Sequence, residues 1–488
     1  MKDKKILNYI VPVVYLIICL VISFNRVPFW DEARAWLIAQ NCNIAEYLDM
    51  MKLECHLFIW YLVIFPFAKL NLLYPYSIYI LNSLFASGCI FFLFKSSPFK
   101  TYEKLLITFS VPFLFLWGSV ARCYSIGILF LFIALSYYKE RFNRPYVYFL
   151  FLMLSLETSI MAFIGAFYLS ILFLFEIRKE KYFKNTVLIF VLFIIITLIQ
   201  IFSPNPDFLK QNPDMTFLRD FIAYIINPVI YIGQYKIQSI LMSVLRLAVD
   251  FCTAGFIFYT YKNNKKVLFF TLSSFVSMIV LFGVFYSGNF WHYFYFYLYF
   301  IVSIWILKAE NNVPKILNFI FSAILICLLF KGAVFIDSKL TTINNSNSKY
   351  IAQEILNNDF YKTKKIFCLD PWGDIAPATL PYLKGKINVY DINNESRFSY
   401  KSLRNQLVFN NNFFNADNFC KYTDNNSILV SSGEFIKHEE NNPKRKINAD
   451  KGIMEFSGEN CNIIFTPYSK NEQKNFFTYL IKVNNKIK

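Results

Sequence analysis

"LFIWYLVIFPFAKL", residues 57–70, is the stretch that decides the architecture of this chain. It is apolar enough to enter a bilayer. At 14 residues it falls short of the ~20 needed to cross a hydrocarbon core of ~30 Å, and it contains a helix-interrupting proline, Pro66. Whether it crosses sets the side of every later loop. If it stays on one face, one side of the membrane receives Lys2, Lys4, Lys5, Lys95, Lys100, Lys104, Lys139, Arg141, Arg144, Arg178, Lys179, Lys181, Lys184, Lys262, Lys265, Lys266, Lys308 and Lys315. The short opposite turns near 158 and at 287–290 then carry no basic residue, and 119–122 carries one. Counting 57–70 as a span would invert this pattern, so the positive-inside bias makes it a juxtamembrane or re-entrant helix on the outer face.

Working outward, apolar runs recur from residue 6 to about 332, in a chain of 488 residues that is 56% hydrophobic and only 17% charged. The expected spans are 6–24, 76–94, 104–119, 123–138, 145–157, 159–176, 185–202, 238–261, 267–286, 291–308 and 314–332, about eleven in all. Long continuous runs exclude a β-barrel, which would alternate over short segments. The N-terminal "MKDKK" and the run after it read as an uncleaved signal anchor. The fold class is therefore a polytopic α-helical membrane protein with a cytoplasmic N-terminus. Residues 1–335, including a first outer loop at 25–75, form the membrane domain. An odd span count places residues 338–488 outside the membrane as an extracytoplasmic domain. Within it, "SKYIAQEILNN" has helical spacing, and "KKIFCLD", "KINVYD", "NSILVSS" and "CNIIFTP" read as strands, so a small α/β domain is expected.

The formal charge of +17 brackets the spans rather than clustering on a soluble surface, so nucleic acid is not an expected partner. The ten cysteines show no zinc spacing. Cys19, Cys89, Cys252 and Cys327 fall in spans as packing residues. Cys42, Cys55, Cys368, Cys420 and Cys461 lie outside, where a disulfide is open but unassigned.

The titratable residues share one level. Asp31 and Glu32 begin the first outer loop in "FWDEARAWLIAQ". They admit two readings: an interfacial helix start, with Asp31 as N-cap between a Trp30 and Trp36 headgroup belt, or an acid–base pair beside an apolar wall. Glu54 and His56 follow in the same loop. Arg122 and Tyr124 in "SVARCYSIG" are either a snorkelling anchor or a phosphate clamp. Glu157 lies in a tight turn and either meets water or needs a partner. His292 opens a late span as either a structural hydrogen-bonder or a ligand. In "LDPWGD" (369–374), Asp370, Trp372 and Asp374 cap either a sugar site or a turn, with the turn favoured. Acids, an arginine and histidines facing one membrane boundary suit a substrate that is half lipid and half polar.

These motifs resemble the GT-C glycosyltransferases, the bacterial branch related to protein O-mannosyltransferases and aminoarabinose transferases (family 39-like). "DEARAWLIAQ" is similar to a DEA-x-x-W-x-x-A motif, "ECHLFIWYLVIFPFAKL" to E-G-H-P-x-L-W-Y, and "ARCYSI" to A-R-x-Y-x. "LETS" stands where a turn often carries His, and "NFWHYFYFYLYFIVSIWI" resembles a late span that opens on a basic pair. Cys55, Leu57 and Glu157 depart from the pattern, and the arginine expected beside His292 is absent.

The resemblance implies inverting transfer of a sugar from a polyprenyl-phosphate donor to an envelope glycan, lipid or protein on the outer face of a bacterial plasma membrane. Asp31 and Glu32 would be the catalytic pair, Asp31 as the base and Glu32 as its neighbour or the positioner of the acceptor. Arg122, Tyr124 and His292 would hold the donor phosphate, and Glu54, His56 and Glu157 would meet substrate. Glu54 and His56 alone do not fix a metal, so a divalent ion is left open as the cofactor class. The competing expectation is a non-catalytic lipid-glycan transporter or assembly scaffold. A transporter would place ionisable groups at the bilayer midplane, and only Arg246 and Asp250 stand inside a span here.

Overall fold

The structure, a computed structural model, describes residues 2–54, 56–201, 262–282, 290–310, 317–319, 321–326, 347–369, 377–391, 397–399, 427–432, 445–448, 453–457, 461–467 and 478–487, with isolated positions between them. The expected span 238–261 with Arg246, Asp250 and Cys252, the loop 203–237, "DPWGD", and Cys55, Cys327 and Cys420 lie outside the described residues. The chain clusters into two compact units: Met1–Ser23, Glu54–Trp60 and Tyr79–Thr341 form one, and Phe24–Leu53, Tyr61–Ile78 and Thr342–Lys488 form the other. The linear division expected from sequence assigned residues 25–75 to the membrane domain. Most of that loop clusters instead with the tail.

Described residues of the first unit are almost wholly helical: α1 (Lys2–Phe24, its last residue in the second unit), α5 (Tyr76–Ser96, from Tyr79 on), α6 (Thr101–Thr108), α7 (Tyr124–Ser136), α8 (Pro145–Leu156), α9 (Ile160–Glu176), α10 (Phe183–Ile201), α11 (Lys265–Val280) and α12 (Phe290–Ala309). Three described helices, Ile6–Phe24, Tyr76–Ser96 and Phe183–Ile201, are long and apolar enough to cross a membrane; α7, α8 and α9 are shorter apolar helices. Among the described residues the expected count of about eleven spans is not shown. At 12 to 13 residues, α7 and α8 rise only ~18–20 Å.

Burial is inverted relative to a water-soluble bundle. In α1 the exposed side chains are Ile6, Tyr9, Ile10, Val13, Val14, Ile17, Val21 and Phe24, an i, i+3/i+4 stripe. In α10 the buried residues are the polar Thr186, Thr197 and Gln200, while Leu188, Val191, Leu192, Ile195, Ile196, Leu198 and Ile199 are exposed. Apolar groups outside and polar contacts inside are what packing within lipid produces. This is the surface of a membrane-embedded protein.

The expected span 104–119 is interrupted. α6 ends at Thr108, and a π-helical turn over Pro112–Trp117 follows. Proline without its N–H explains the break, and side chains from other helices satisfy the carbonyls it leaves. The Tyr15 hydroxyl donates to the Phe113 carbonyl, Asn82 Nδ2 donates to the Trp117 and Gly118 carbonyls at 3.0 and 3.1 Å, and Ser23 Oγ donates to the Ser119 carbonyl at 3.1 Å. Irregular backbone is tolerated at membrane depth only with such partners.

The second unit contains α2 (Trp30–Asn41), most of α3 (Ile44–Glu54) and of α4 (Phe58–Lys69), and the tail. "LFIWYLVIFPFAKL" therefore folds as a 12-residue helix running through Pro66. The tail adds α13 (Ser348–Asn357) and a seven-stranded sheet. Its strands are β1 (Lys365–Leu369), β2 (Val389–Asp391), β3 (Ser427–Ser432), β4 (Arg445–Asn448), β5 (Ile453–Ser457), β6 (Cys461–Pro467) and β7 (Thr478–Ile487), in the order β2-β1-β3-β7-β6-β5-β4. β1 runs parallel to β2 and β3, with Ile366 opposite Val389 and Ile428, and the other pairs are antiparallel. Ile366, Phe367, Cys368, Ile428, Leu429 and Val430 are buried without alternation, as strands covered on both faces require. The helix and all four strands expected from sequence are present; β4, β5 and β7 were not anticipated. Cys42 and Cys368 are fully buried.

Candidate functional site

In the second unit the Asp-Glu pair divides into two unlike roles. The N-cap of α2 is Phe29, not Asp31, so Asp31 is the second helical residue and Glu32 the third. Glu32 reaches back to accept from the Phe29 N–H at 2.7 Å, half of a capping box. It also receives the Arg26 guanidinium through two bonds of 2.6 and 2.5 Å. Three of about four acceptor positions on that carboxylate are thereby used, with both partners almost fully buried. Asp31 stays half-buried in the first turn, where the helix dipole favours its charge.

Trp36 is not part of a headgroup belt. It is fully buried and packs on Tyr74 at 5.2 Å, and Tyr74 packs on Tyr382 at 5.0 Å. Burial, then the nearby Glu32 carboxylate, holds the Tyr382 phenol well above its ordinary pKa. Lys69 caps the far end of α2 by donating to the Gln40 and Cys42 carbonyls at 3.1 and 2.7 Å.

In the first unit the broken span delivers Cys123 and Tyr124 to one buried cluster. Asn82 fixes the backbone on both sides of them. Besides holding the Trp117 and Gly118 carbonyls, its Oδ1 accepts from Ser125 Oγ at 2.5 Å. Tyr124 Oη and His292 Nε2 are hydrogen-bonded at 2.9 Å, and both residues are buried. The His56 ring lies edge-on to Tyr124 at 6.1 Å, with Nδ1 3.6 Å from Cys123 Sγ. Phe282 stacks on His292 at 6.4 Å. Arg122, two residues before Tyr124, is itself buried, 4% exposed. A phenol and two imidazoles from three separate chain segments thus meet, the phenol lying close in sequence to a buried arginine.

Glu157 belongs to a different arrangement. It is fully buried and accepts from Thr197 Oγ1 at 2.6 Å and Gln200 Nε2 at 2.7 Å. Gln200 Oε1 in turn accepts the Phe58 N–H at 2.9 Å. The turn does not simply meet water. Its carboxylate holds the glutamine that caps the first turn of α4. The Glu54 side chain lies outside the described residues. Among the described residues no three His, Cys, Asp or Glu side chains gather as a metal site, and His56 meets a thiol.

Sequence reasoning singled out Asp31, Glu32, Glu54, His56, Arg122, Tyr124, Glu157 and His292, and did not single out Arg26, Asn82, Cys123, Thr197 or Gln200. Asn82 in "ILNSLF" and Gln200 in "TLIQIF" carried a usable signal, since polar residues inside apolar runs need partners. Compared with protein-family models, curated proteins and solved structures, the chain finds no match.

Proposed function

We propose that this chain is a GT-C-like membrane glycosyltransferase, moving a sugar from a polyprenyl-phosphate donor to an envelope glycan, lipid or protein, with inversion. The observation that carries this reading is the convergence of His56, Tyr124 and His292, with buried Arg122 two residues before Tyr124. A leaving lipid phosphate needs such preorganised donors where charge develops. Asp31, half-buried at a helix start and next to a glutamate already committed to Arg26, is the group for the acceptor's proton. Glu32 positions that helix start. Glu157 supports the reading through α4 rather than by touching substrate.

The proposed topology has about eleven spans in a bacterial plasma membrane, with the N-terminus cytoplasmic and the tail outside. Two observations support it. The basic residues gather on one side of such a chain. The first loop and the tail share one compact unit, in which Lys384 Nζ donates to Asn41 Oδ1 at 2.8 Å and Tyr74 packs on Tyr382. A loop after the first span and a tail after the last can pack together in this way only with an odd number of crossings. The clustering of residues 61–78 in that unit favours α4 as juxtamembrane.

The broken span favours a second reading, since transporters use interrupted helices at their sites. Envelope glycans compared by mass spectrometry in wild type, a deletion strain and Asp31→Asn at matched protein level separate the two. Loss of one sugar in both mutants supports transfer. Loss in the deletion alone assigns a transport or scaffold role.

A further inference from the structure

The first unit holds a concave site apart from the candidate-site residues. A cavity of about 350 Å³ is lined by Leu7, Asn8, Phe94, Phe99, Lys100, Thr101 and Lys104. It lies where α1 begins, α5 ends and α6 starts, so the ends of two helices long and apolar enough to cross a membrane frame it. Its lining is split between apolar side chains and a polar set of two ammonium groups, an amide and a hydroxyl.

Lys100 and Lys104 stand one helical turn apart, a spacing at which like charges repel. Among the described residues neither is paired with a carboxylate. Lys104 Nζ donates to the Phe94 carbonyl at 2.6 Å, and Lys100 Nζ lies 5.9 Å from the Tyr102 ring centre. The acid nearest in sequence, Glu103, is fully buried and engaged elsewhere. It accepts from the Lys100 N–H at 2.7 Å and takes Lys308 Nζ on both oxygens, at 2.6 and 2.7 Å. Two cations brought together around a cavity with no acid among its described lining residues form a site for an anion. Within two turns of Asn8, α1 exposes Ile6, Tyr9, Ile10 and Val13, an apolar surface for hydrocarbon chains.

We propose that this cavity binds the phosphate of an anionic two-chain phospholipid, with Lys100 and Lys104 as its charge partners and Asn8 and Thr101 as hydrogen-bonders. Leu7, Phe94 and Phe99 receive the glycerol and upper acyl carbons. Lipid binding here is independent of any transfer reaction.

The test is native mass spectrometry of the full-length protein in detergent with phosphatidylglycerol or phosphatidylcholine added. Wild type should retain phosphatidylglycerol about tenfold better. The Lys100→Gln, Lys104→Gln double variant should fall to parity, and Lys100→Gln alone, at an exposed side chain, should lose a substantial part. A Lys179→Gln, Lys181→Gln pair, in another basic turn, should keep the full preference. No preference in wild type overturns the proposal, as does an equal loss in the control pair, which would make the effect one of general charge. Displacement of the lipid by millimolar inorganic phosphate also overturns it, since the cavity would then read a free anion. A thermal melt in phosphatidylcholine confirms that the variants compared are folded.

Discussion

Two helix starts in this molecule are built alike. At α2, Glu32 reaches back to the Phe29 N–H and takes Arg26 on both oxygens. At α6, Glu103 reaches back to the Lys100 N–H and takes Lys308 on both oxygens. Each glutamate is buried, third in its helix, and clamped by a cation from outside that helix. The difference lies one residue earlier. α6 carries Tyr102 there, and α2 carries Asp31. The comparison assigns Glu32 to scaffolding, because the same device serves at a helix start with no candidate chemistry. It leaves Asp31 as the residue peculiar to α2.

The largest expected effect breaks the clamps themselves. Arg26→Ala or Lys308→Ala strands a buried carboxylate and should cost about 3–5 kcal/mol in unfolding of the purified protein. Arg26 should be the more severe, since its side chain is 2% exposed against 9% for Lys308. Equal, negligible losses would show the pairs to be incidental. Next, Asp31→Asn should lower transfer by about 100-fold or more with the melting temperature unchanged. Glu32→Gln should do the reverse, reducing folded yield more than activity per folded molecule. If the two variants behave alike, the division within the pair is wrong.

A third buried carboxylate sharpens the comparison, because Glu157 is held by the neutral donors Thr197 and Gln200. With no cation to strand, Glu157→Gln should cost less than about 1 kcal/mol, whereas Gln200→Leu removes the acceptor of the Phe58 N–H and leaves Glu157 with Thr197 as its remaining donor of the two, and should cost about 1–3 kcal/mol. Chemical denaturation of both variants checks this. The smallest effect is Tyr124→Phe. Loss of one hydrogen bond to His292 should slow turnover about tenfold or less without lowering stability by more than about 1 kcal/mol.

Legibility in the sequence followed the range of the forces. The strands at 365–369, 389–391, 427–432 and 461–467 were readable because short β-branched runs between polar punctuation act locally. β7, ending in "KVNNKI", gave no such contrast, since its place depends on pairing with both β3 and β6. That Asp31, Arg122, Glu157 and His292 share one membrane boundary is an expectation from charge bias alone. Which of them would be locked was not visible. Nothing local distinguishes Asp31 from Glu32 until Arg26 arrives, and the Tyr124–His292 bond joins residues 168 positions apart. The interruption of span 104–119 had a local cue in Pro112, but its tolerance rests on Tyr15 and Asn82, remote in sequence.

The inverted burial of α10 bears on how the molecule is put together during synthesis. Lipid chains are as apolar as leucine, so helices already in a bilayer gain little from hiding apolar surface from one another. Neighbour selection falls to the few groups that lipid cannot satisfy. In α10 these are Thr197 and Gln200, which meet Glu157 in the turn between α8 and α9. A newly inserted α10 can drift as an ordinary greasy rod until those side chains find that turn. The same docking supplies the acceptor for the first N–H of α4, a segment made more than 120 residues earlier. Setting of α4 is thereby deferred until α10 has been translated, an order of assembly written in three polar side chains.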